Sequence, residues 1–325
     1  MQRQVPELSI VVPLLNEQDN IGVLHQQITE ALIDKYNYEI LFIDDGSTDN
    51  SSTVLTKLFQ SDQRVGIISF RKNFGQTAAL SAGFAHAKGE IIVALDADLQ
   101  NDPADIPKMI EKLHEGYDVV SGWRKKRHDK ALTRKLPSKA ANWLISTITG
   151  VKLHDYGCTL KVYRKEVLAQ TKLYGEMHRF IPALASWSGA KIAEIVVNHR
   201  PRTAGVAKYG LGRTWKVVLD LITVNFLGSF STKPIYVFGG IGLLSALVSL
   251  IFIFFVLYQK ISSGVDMSGN PLLLLSAVLM ITTIQFILMG LLAELLVRTY
   301  HESQNRPTYV IKNILEHDIT KEEDK

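Results

Sequence analysis

Two carboxylates, Asp96 and Asp98, follow the apolar run Ile91–Leu95, and a carboxamide, Gln100, comes two residues later. In an extended chain alternate side chains project to one side, so these three oxygen-bearing groups are expected to converge. Such a set suits a hard divalent cation, Mg2+ or Mn2+, which takes one or two carboxylates and completes its shell with substrate phosphates. A diphosphate is the expected companion, because the cation would neutralise charge developing on it. The alternative is a solvated acidic turn, but two carboxylates this close repel unless a cation lies between them.

Two further polar clusters follow apolar runs. The first strand-like run closes in Val12-Pro13-Leu14-Leu15-Asn16-Glu17, the second in Ile43-Asp44-Asp45-Gly46-Ser47-Thr48-Asp49. Their carboxylates suit hydrogen bonds from the N–H and O–H groups of a base or ribose. Asp, Gly and Ser also serve as helix caps and tight turns, and Asp49 fits that role equally.

The elements that must position these groups are readable from periodicity. Leu8–Leu15, Tyr38–Ile43, Val65–Phe70, Ile91–Leu95 and Tyr117–Ser121 read as strands, with Lys191–His199 as a later one. Between them Ile21, Leu24, Ile28 and Leu32 recur at helical spacing, Gln76–Ala87 is Ala-rich, and Ile106, Met109, Ile110 and Leu113 follow Pro103 on another amphipathic helix. The alternation predicts an α/β fold with a mostly parallel sheet, whose ligands gather beyond the carboxyl ends of the strands. Leu136–Ile148 is expected to be helical.

In the last third of the chain, Ile235–Tyr258 and Pro271–Ala293 carry no charge, and each passes the roughly 20 residues that span a bilayer. A short polar turn, Gln259–Asn270, makes them a transmembrane hairpin. Lys233 before the first span, and Arg298 and Arg306 after the second, place both flanks and both termini on the cytoplasmic side. Arg213–Phe230 mixes Trp215, Leu219, Ile222 and Phe226 with Arg213, Lys216 and Asp220, which suits an interfacial helix. The expected organisation is a domain over 1–210, an interfacial segment over 211–232, a hairpin over 233–300 and a tail over 301–325, with Lys312–Lys325 a charged tail. Glu294 is expected to pair with Arg298 one turn on.

The sole cysteine, Cys158, excludes an internal disulfide and fits a reducing compartment. Leu8–Leu15 is too short for a signal peptide and is broken by Pro13. The net charge of +4, spread around a membrane anchor, suits anionic headgroups and phosphates better than nucleic acid. On that ground the basic stretch Trp123–Lys139 is read as facing lipid phosphate rather than as a solvated face.

As an ordered set, Val-Pro-Leu-Leu-Asn-Glu, Asp-Asp-Gly-Ser, Asp-Ala-Asp-Leu-Gln, Gly122-Trp123-Arg124 and Arg202-Thr203-Ala204-Gly205-Val206-Ala207-Lys208-Tyr209 are similar to the family 2 glycosyltransferases of GT-A fold. The branch resembled is the polyprenyl-phosphate glycosyltransferases, which include dolichol-phosphate mannose synthases and bactoprenol glucosyltransferases. The likeness runs from Leu8 to Tyr209, and the hairpin fits the bactoprenol type.

The resemblance implies a nucleoside pocket lined by Pro13, Leu15, Glu17, Ile43 and Asp45. It makes Asp96, Asp98 and Gln100 metal ligands, with Asp96, Ala97 and Asp98 also against the nucleotide. Arg124, Arg202 and Lys208 would grip phosphates. Relatives carry Ser before this lysine where Ala207 stands here, which puts one hydroxyl contact in doubt. Asp155, in His154-Asp155-Tyr156-Gly157-Cys158, matches the family's catalytic base. A lipid phosphate is already ionised at neutral pH, so Asp155 is equally suited to orienting the acceptor or steadying positive charge on the sugar ring. His178 and Arg179 suit either contact with the acceptor or capping of Phe180–Trp187.

The implied reaction is transfer of a hexose from a nucleotide sugar, with UDP-glucose the expected donor, to undecaprenyl or another polyprenyl phosphate at the cytosolic face, with inversion. Homo-oligomers built through the anchors are within the family's range. A processive polysaccharide synthase needs a wider channel than two spans offer, and its Gln-x-x-Arg-Trp motif is absent. An inactive membrane scaffold would have no use for the acidic set at 96–100.

Overall fold

The computed structural model describes residues 5–125, 149–169, 177–201, 235–264, 270–303 and 309–317, together with 146, 171, 173 and 267. Two compact units emerge, Met1–Val224 with Pro307–Lys325, and Asn225–Arg306.

The first unit is built on one eight-stranded sheet. Strands β1 (Leu8–Leu14), β2 (Tyr38–Asp44), β3 (Val65–Phe70) and β4 (Ile91–Ala94) alternate with helices α1 (Ile21–Leu32), α2 (Ser51–Ser61) and α3 (Gln76–His86). Helix α4 (Ile106–His114) then leads to β5 (Val119–Trp123). Beyond it come β6 (Lys161–Arg164), the short α5 (Lys165–Ala169), α6 (Ile181–Trp187) and β7 (Ile192–Val196). The second unit holds α7 (Ile235–Ser263) and α8 (Pro271–Ser303), after which β8 (Ile311–Leu315) rejoins the sheet. The strand order is β7-β5-β6-β4-β1-β2-β3-β8. Strands β6 and β8 run antiparallel to their neighbours, and the other pairings are parallel.

Both faces of the sheet are covered, which is why its strands read as near-continuous apolar runs. Ile10, Val12, Phe42 and Val93 face α1 and α4, whose buried stripes are Ile21, Leu24, Ile28 and Leu32, and Ile106, Met109, Ile110 and Leu113. Val11, Ile43 and Ile68 face α3 and the Phe180–Ile181 corner. Helix α3 approaches closely because its residues are small. A Cβ added at Gly83 would lie 2.3 Å from Val11 Cγ1 and 2.9 Å from Ile43 Cδ1.

Several expectations are corrected. The strand read at Tyr117–Ser121 lies at Val119–Trp123, because Tyr117 and Gly116 belong to the turn after α4. The stretch read as a tail from Lys312 opens instead in strand β8, paired with β3. Strand β4 ends at Ala94, so residues 96–100 are not extended and do not alternate. Ala97–Leu99 turn, with Leu99 at φ 60°. The expected helices at Leu136–Ile148 and Arg213–Phe230 lie outside the described residues.

In the second unit, Phe238–Ser263 and Pro271–Ala293 are long and apolar enough to cross a membrane. Only 22% and 11% of their apolar windows are buried, which is the reverse of a core helix. Leu243, Leu247, Phe254, Leu274 and Leu288 all stand exposed. The two helices run antiparallel as a hairpin: Ser249 Oγ donates to Ser276 O at 2.8 Å and Ser245 Oγ to Leu279 O at 3.0 Å. Near the other end, Gly242 packs against Thr283 O and Ile287. Small residues at the crossing are what close packing in lipid requires. The side chains of Glu294 and Arg298 lie outside the described residues.

Candidate active site

Strand β1 has β2 on one side and β4 on the other, so a crevice opens where their carboxyl ends diverge, the place where open α/β sheets bind ligands. The sheet brings most of the residues expected at the site to this edge. The only two non-glycine residues with positive φ among those described, Asn16 (53°) and Leu99 (60°), follow β1 and β4 there. Left-handed backbone in a leucine is costly, and such strain concentrates at functional sites.

The β1 and β2 exits are stitched together. Ser47 N donates to Asp44 Oδ1 at 2.8 Å, Thr48 N to Asn16 Oδ1 at 2.8 Å, and Glu17 N to Ser51 Oγ at 3.0 Å. Glu17 is buried and accepts from Asn20 Nδ2 at 2.7 Å. Asp49, one residue before the N-cap Asn50 of α2, accepts from Ser51 N at 2.9 Å and from Gln18 N at 3.3 Å. Pro13 is buried within β1, and Leu15 is half-buried just past it. Ile43 is fully buried, with its side chain against α3. Asp45 uses both oxygens on a loop, accepting from Phe74 N at 2.7 Å and Gly75 N at 2.9 Å. Burial pushes its pKa up, opposed by those two amides.

The carboxylate pair sits in the turn after β4. Asp96 Oδ1 accepts from Gln76 Nε2 at 2.7 Å, and Thr159 is a second partner. Asp98 Oδ1 accepts from Gln100 N at 3.2 Å. Burial and the like charge of Asp98 push the pKa of Asp96 upward, while Thr159, Arg124 and Lys161 oppose the shift. A bound cation relieves that repulsion, so the two carboxylates fit Mg2+ or Mn2+. Among the described residues no three His, Cys, Asp or Glu side chains gather as a metal cluster, so substrate oxygens would have to complete the shell. Ala97 is buried in the same turn. Arg200 N donates to Gln100 O at 2.9 Å, which carries the chain beyond β7 alongside this turn.

Arg124 and Asp155 meet directly. Arg124 Nε lies 2.7 Å from Asp155 Oδ2 and Nη2 lies 3.0 Å from Oδ1, a bidentate pair whose side chains are 12% and 4% exposed. Gly157 leaves room for it, since a Cβ there would lie 3.3 Å from Arg124 Nη2. Glu194 fixes the loop from below, accepting from Asp155 N at 3.0 Å and from His154 N and Nδ1. The His154 ring stacks on Trp123, with centroids 4.1 Å apart. Lys161 is buried, and its ammonium donates to the carbonyls of Tyr156 and Cys158. Burial pushes its pKa down.

Gln76, Asp96, Tyr156, Lys161, His178 and Arg179 line a cavity of about 70 Å³. His178 Nδ1 lies 2.8 Å from Thr77 Oγ1, and with Arg179 it lines the cavity, so the Met177–Phe180 turn belongs to the site's wall. Arg202 and Lys208 lie outside the described residues. Sequence reasoning missed Gln76, Thr159, Lys161 and Glu194. Only Lys161 had a signal, a charge inside the apolar run Leu160–Tyr163.

A doubly covered, mainly parallel sheet with an acidic pair at its switch point defines a nucleotide-sugar-binding domain of GT-A fold. Residues 9–171 match the family described as Glycosyl transferase family 2. Over 315 residues the chain is 41% identical to a dodecaprenyl-phosphate galacturonate synthase of Rhizobium johnstonii, covering 95% of this chain and 93% of the relative. It is 37% identical over 326 residues to an undecaprenyl-phosphate 4-deoxy-4-formamido-L-arabinose transferase of Klebsiella pneumoniae, covering 99% and 98%. Glucosyl-3-phosphoglycerate synthase from Mycobacterium tuberculosis, solved with Mn2+ and UDP-glucose, superposes with a TM-score of 0.53 at 20% identity, over 68% of this chain and 79% of that one. The chain belongs to glycosyltransferase family 2, and it is a glycosyltransferase.

Proposed function

We propose that the chain transfers a sugar from a nucleoside diphosphate to polyprenyl phosphate at the cytosolic membrane face, inverting the anomeric centre. One observation carries this reading: an acidic pair at the switch point of the sheet and an exposed apolar hairpin occur in one chain, as expected of an enzyme whose acceptor never leaves the bilayer. Enzyme and lipid then share a surface, which raises their effective concentration.

In this reading Asp96 and Asp98, with the Gln100 carboxamide, hold Mg2+ or Mn2+, which supplies positive charge to the departing diphosphate. Glu17 and the 43–45 segment border the nucleoside, and Asp45 acts by holding the 74–75 amides in place. Arg202 and Lys208 supply cations to phosphate. Arg202 comes two residues after Arg200, whose amide is bonded to Gln100. Asp155 needs no proton from an ionised lipid phosphate. Paired with Arg124, it orients that guanidinium and places negative charge beside the sugar ring.

The hairpin lies between β7 and β8 of one sheet, so both of its outer ends belong on one membrane face, and the basic residues Lys233, Arg298 and Arg306 make that face cytosolic. The donor expected from sequence, UDP-glucose, draws no support from the names of the relatives, which specify galacturonate and 4-deoxy-4-formamido-L-arabinose. UDP-galacturonate is therefore the first donor to test. Purified protein in undecaprenyl-phosphate nanodiscs, given a panel of UDP-sugars, should yield one glycolipid by mass spectrometry. EDTA should abolish the product and MnCl2 restore it. Transfer that survives EDTA, or no product with any donor, refutes the proposal.

A further inference from the structure

The strand made after the hairpin reaches back to the donor site. Strand β8 pairs antiparallel with β3, and its register shifts between Ser69 and Phe70, where the chain turns towards the site. At that shift Arg71 N donates to Val310 O at 3.2 Å, and the Tyr309 ring stacks on Phe70 with centroids 5.2 Å apart and planes 12° apart. Phe70 in turn meets Phe74 edge-on at 5.7 Å. The amides of Phe74 and Gly75 are the ones bonded to Asp45, and the next side chain, Gln76, donates to Asp96 Oδ1. From beneath, Gly46 closes on the same loop: a Cβ there would lie 2.6 Å from the Lys72 carbonyl carbon. The loop is thus held by Asp45 and Gly46 below, by Asp96 ahead, and by the Phe70–Tyr309 stack behind.

We infer that Tyr309 is a positioning residue for the donor site, setting the 72–76 loop through Phe70 and Phe74 so that Asp45 and Gln76 present the geometry the nucleotide requires. The inference rests on the proposed reading that this crevice holds a nucleotide sugar.

The test uses the full chain in nanodiscs. Tyr309→Ala should speed amide exchange over residues 72–76 by about threefold to tenfold, as expected for a lost aromatic contact, while exchange in α4 stays unchanged. KM for the donor should rise by a similar factor, with KM for the lipid and kcat at saturating donor unmoved. Tyr309→Phe keeps the stack and should match the wild type in both readouts. Tyr309→Leu, which keeps apolar bulk without a ring, serves if the alanine variant fails to fold, and should behave as alanine does. In a Phe74→Leu background the effect of changing Tyr309 should vanish. A Tyr309→Ala protein that melts earlier yet keeps wild-type exchange at 72–76 and wild-type donor KM overturns the inference. Faster exchange in a protein whose wild type transfers no UDP-sugar sinks the proposed function and leaves the positioning of the loop standing.

Discussion

Breaking the Arg124–Asp155 pair should harm the fold more when one partner is removed than when both are. The two side chains are 12% and 4% exposed, and two hydrogen bonds join them. Replacing Asp155 with leucine strands a buried guanidinium, and replacing Arg124 with methionine strands a buried carboxylate. Each single change is expected to cost about 3–5 kcal/mol. In a catalytic unit of this size a loss of that order lowers the melting temperature by about 6–20 °C. The double variant, with apolar groups facing one another, should recover most of the loss, because a buried ion pair is worth little more than a well-packed apolar replacement. Activity should not follow stability: sugar transfer should be lost in all three proteins, because in the proposed reading both charges act on substrate. Melting curves in nanodiscs by intrinsic fluorescence, read beside the mass-spectrometric transfer assay, separate the two effects. Losses that simply add in the double variant, or a single variant within about 2 °C of wild type, would refute the reasoning.

Asp96→Asn and Asp98→Asn should each abolish transfer while leaving the melting temperature near or above that of wild type, because removing one charge relieves the repulsion within the pair; retained activity in both would remove the metal site. Gly83→Ala should destabilise by about 1–3 kcal/mol, since its Cβ would fall 2.3 Å from Val11 Cγ1, and an unchanged melting curve would contradict that packing. Burial alone would raise the pKa of Asp62, but hydrogen bonds from Arg64 and His25 outweigh it and hold the carboxyl well below the usual range. The stabilisation is therefore complete above the unfolded value of about 3.9 and is lost as pH falls towards the folded one. Asp62→Asn should lower the melting temperature at pH 7, with the gap to wild type closing below about pH 4, and a gap independent of pH would contradict this.

The frame of the fold was legible because two-sided burial writes itself into strands as unbroken apolar runs, and into α1 and α4 as stripes of period 3.6. Strand β6 was not, because Lys161, its first residue, breaks the apolar run Leu160–Tyr163. That charge is tolerated only where the Tyr156 and Cys158 carbonyls receive it, a fact of tertiary structure. Strand β8 was masked by Lys312 and Asn313, the polar residues an edge strand carries. In the site, the acidic pair was legible as a motif, but the chain there turns through Ala97–Leu99 and does not follow the strand pleat on which the expected convergence rested. The Arg124–Asp155 pair joins residues 31 positions apart, and no local pattern announces it. Asp45 also accepts from the 74–75 amides, a tertiary contact that residue type alone does not reveal.

The place of β8 in the chain also governs the order of manufacture. A ribosome emits β1 to β7, then both apolar helices, and only then the strand that covers the outer edge of β3. Until the hairpin has been handed to the membrane, the nascent domain carries an open row of backbone donors and acceptors along Val65–Phe70, the kind of edge that recruits neighbouring chains. Fragments cut before the first apolar helix keep that edge permanently open, so they should aggregate during expression, and residues 309–317 supplied as a separate peptide should suppress it.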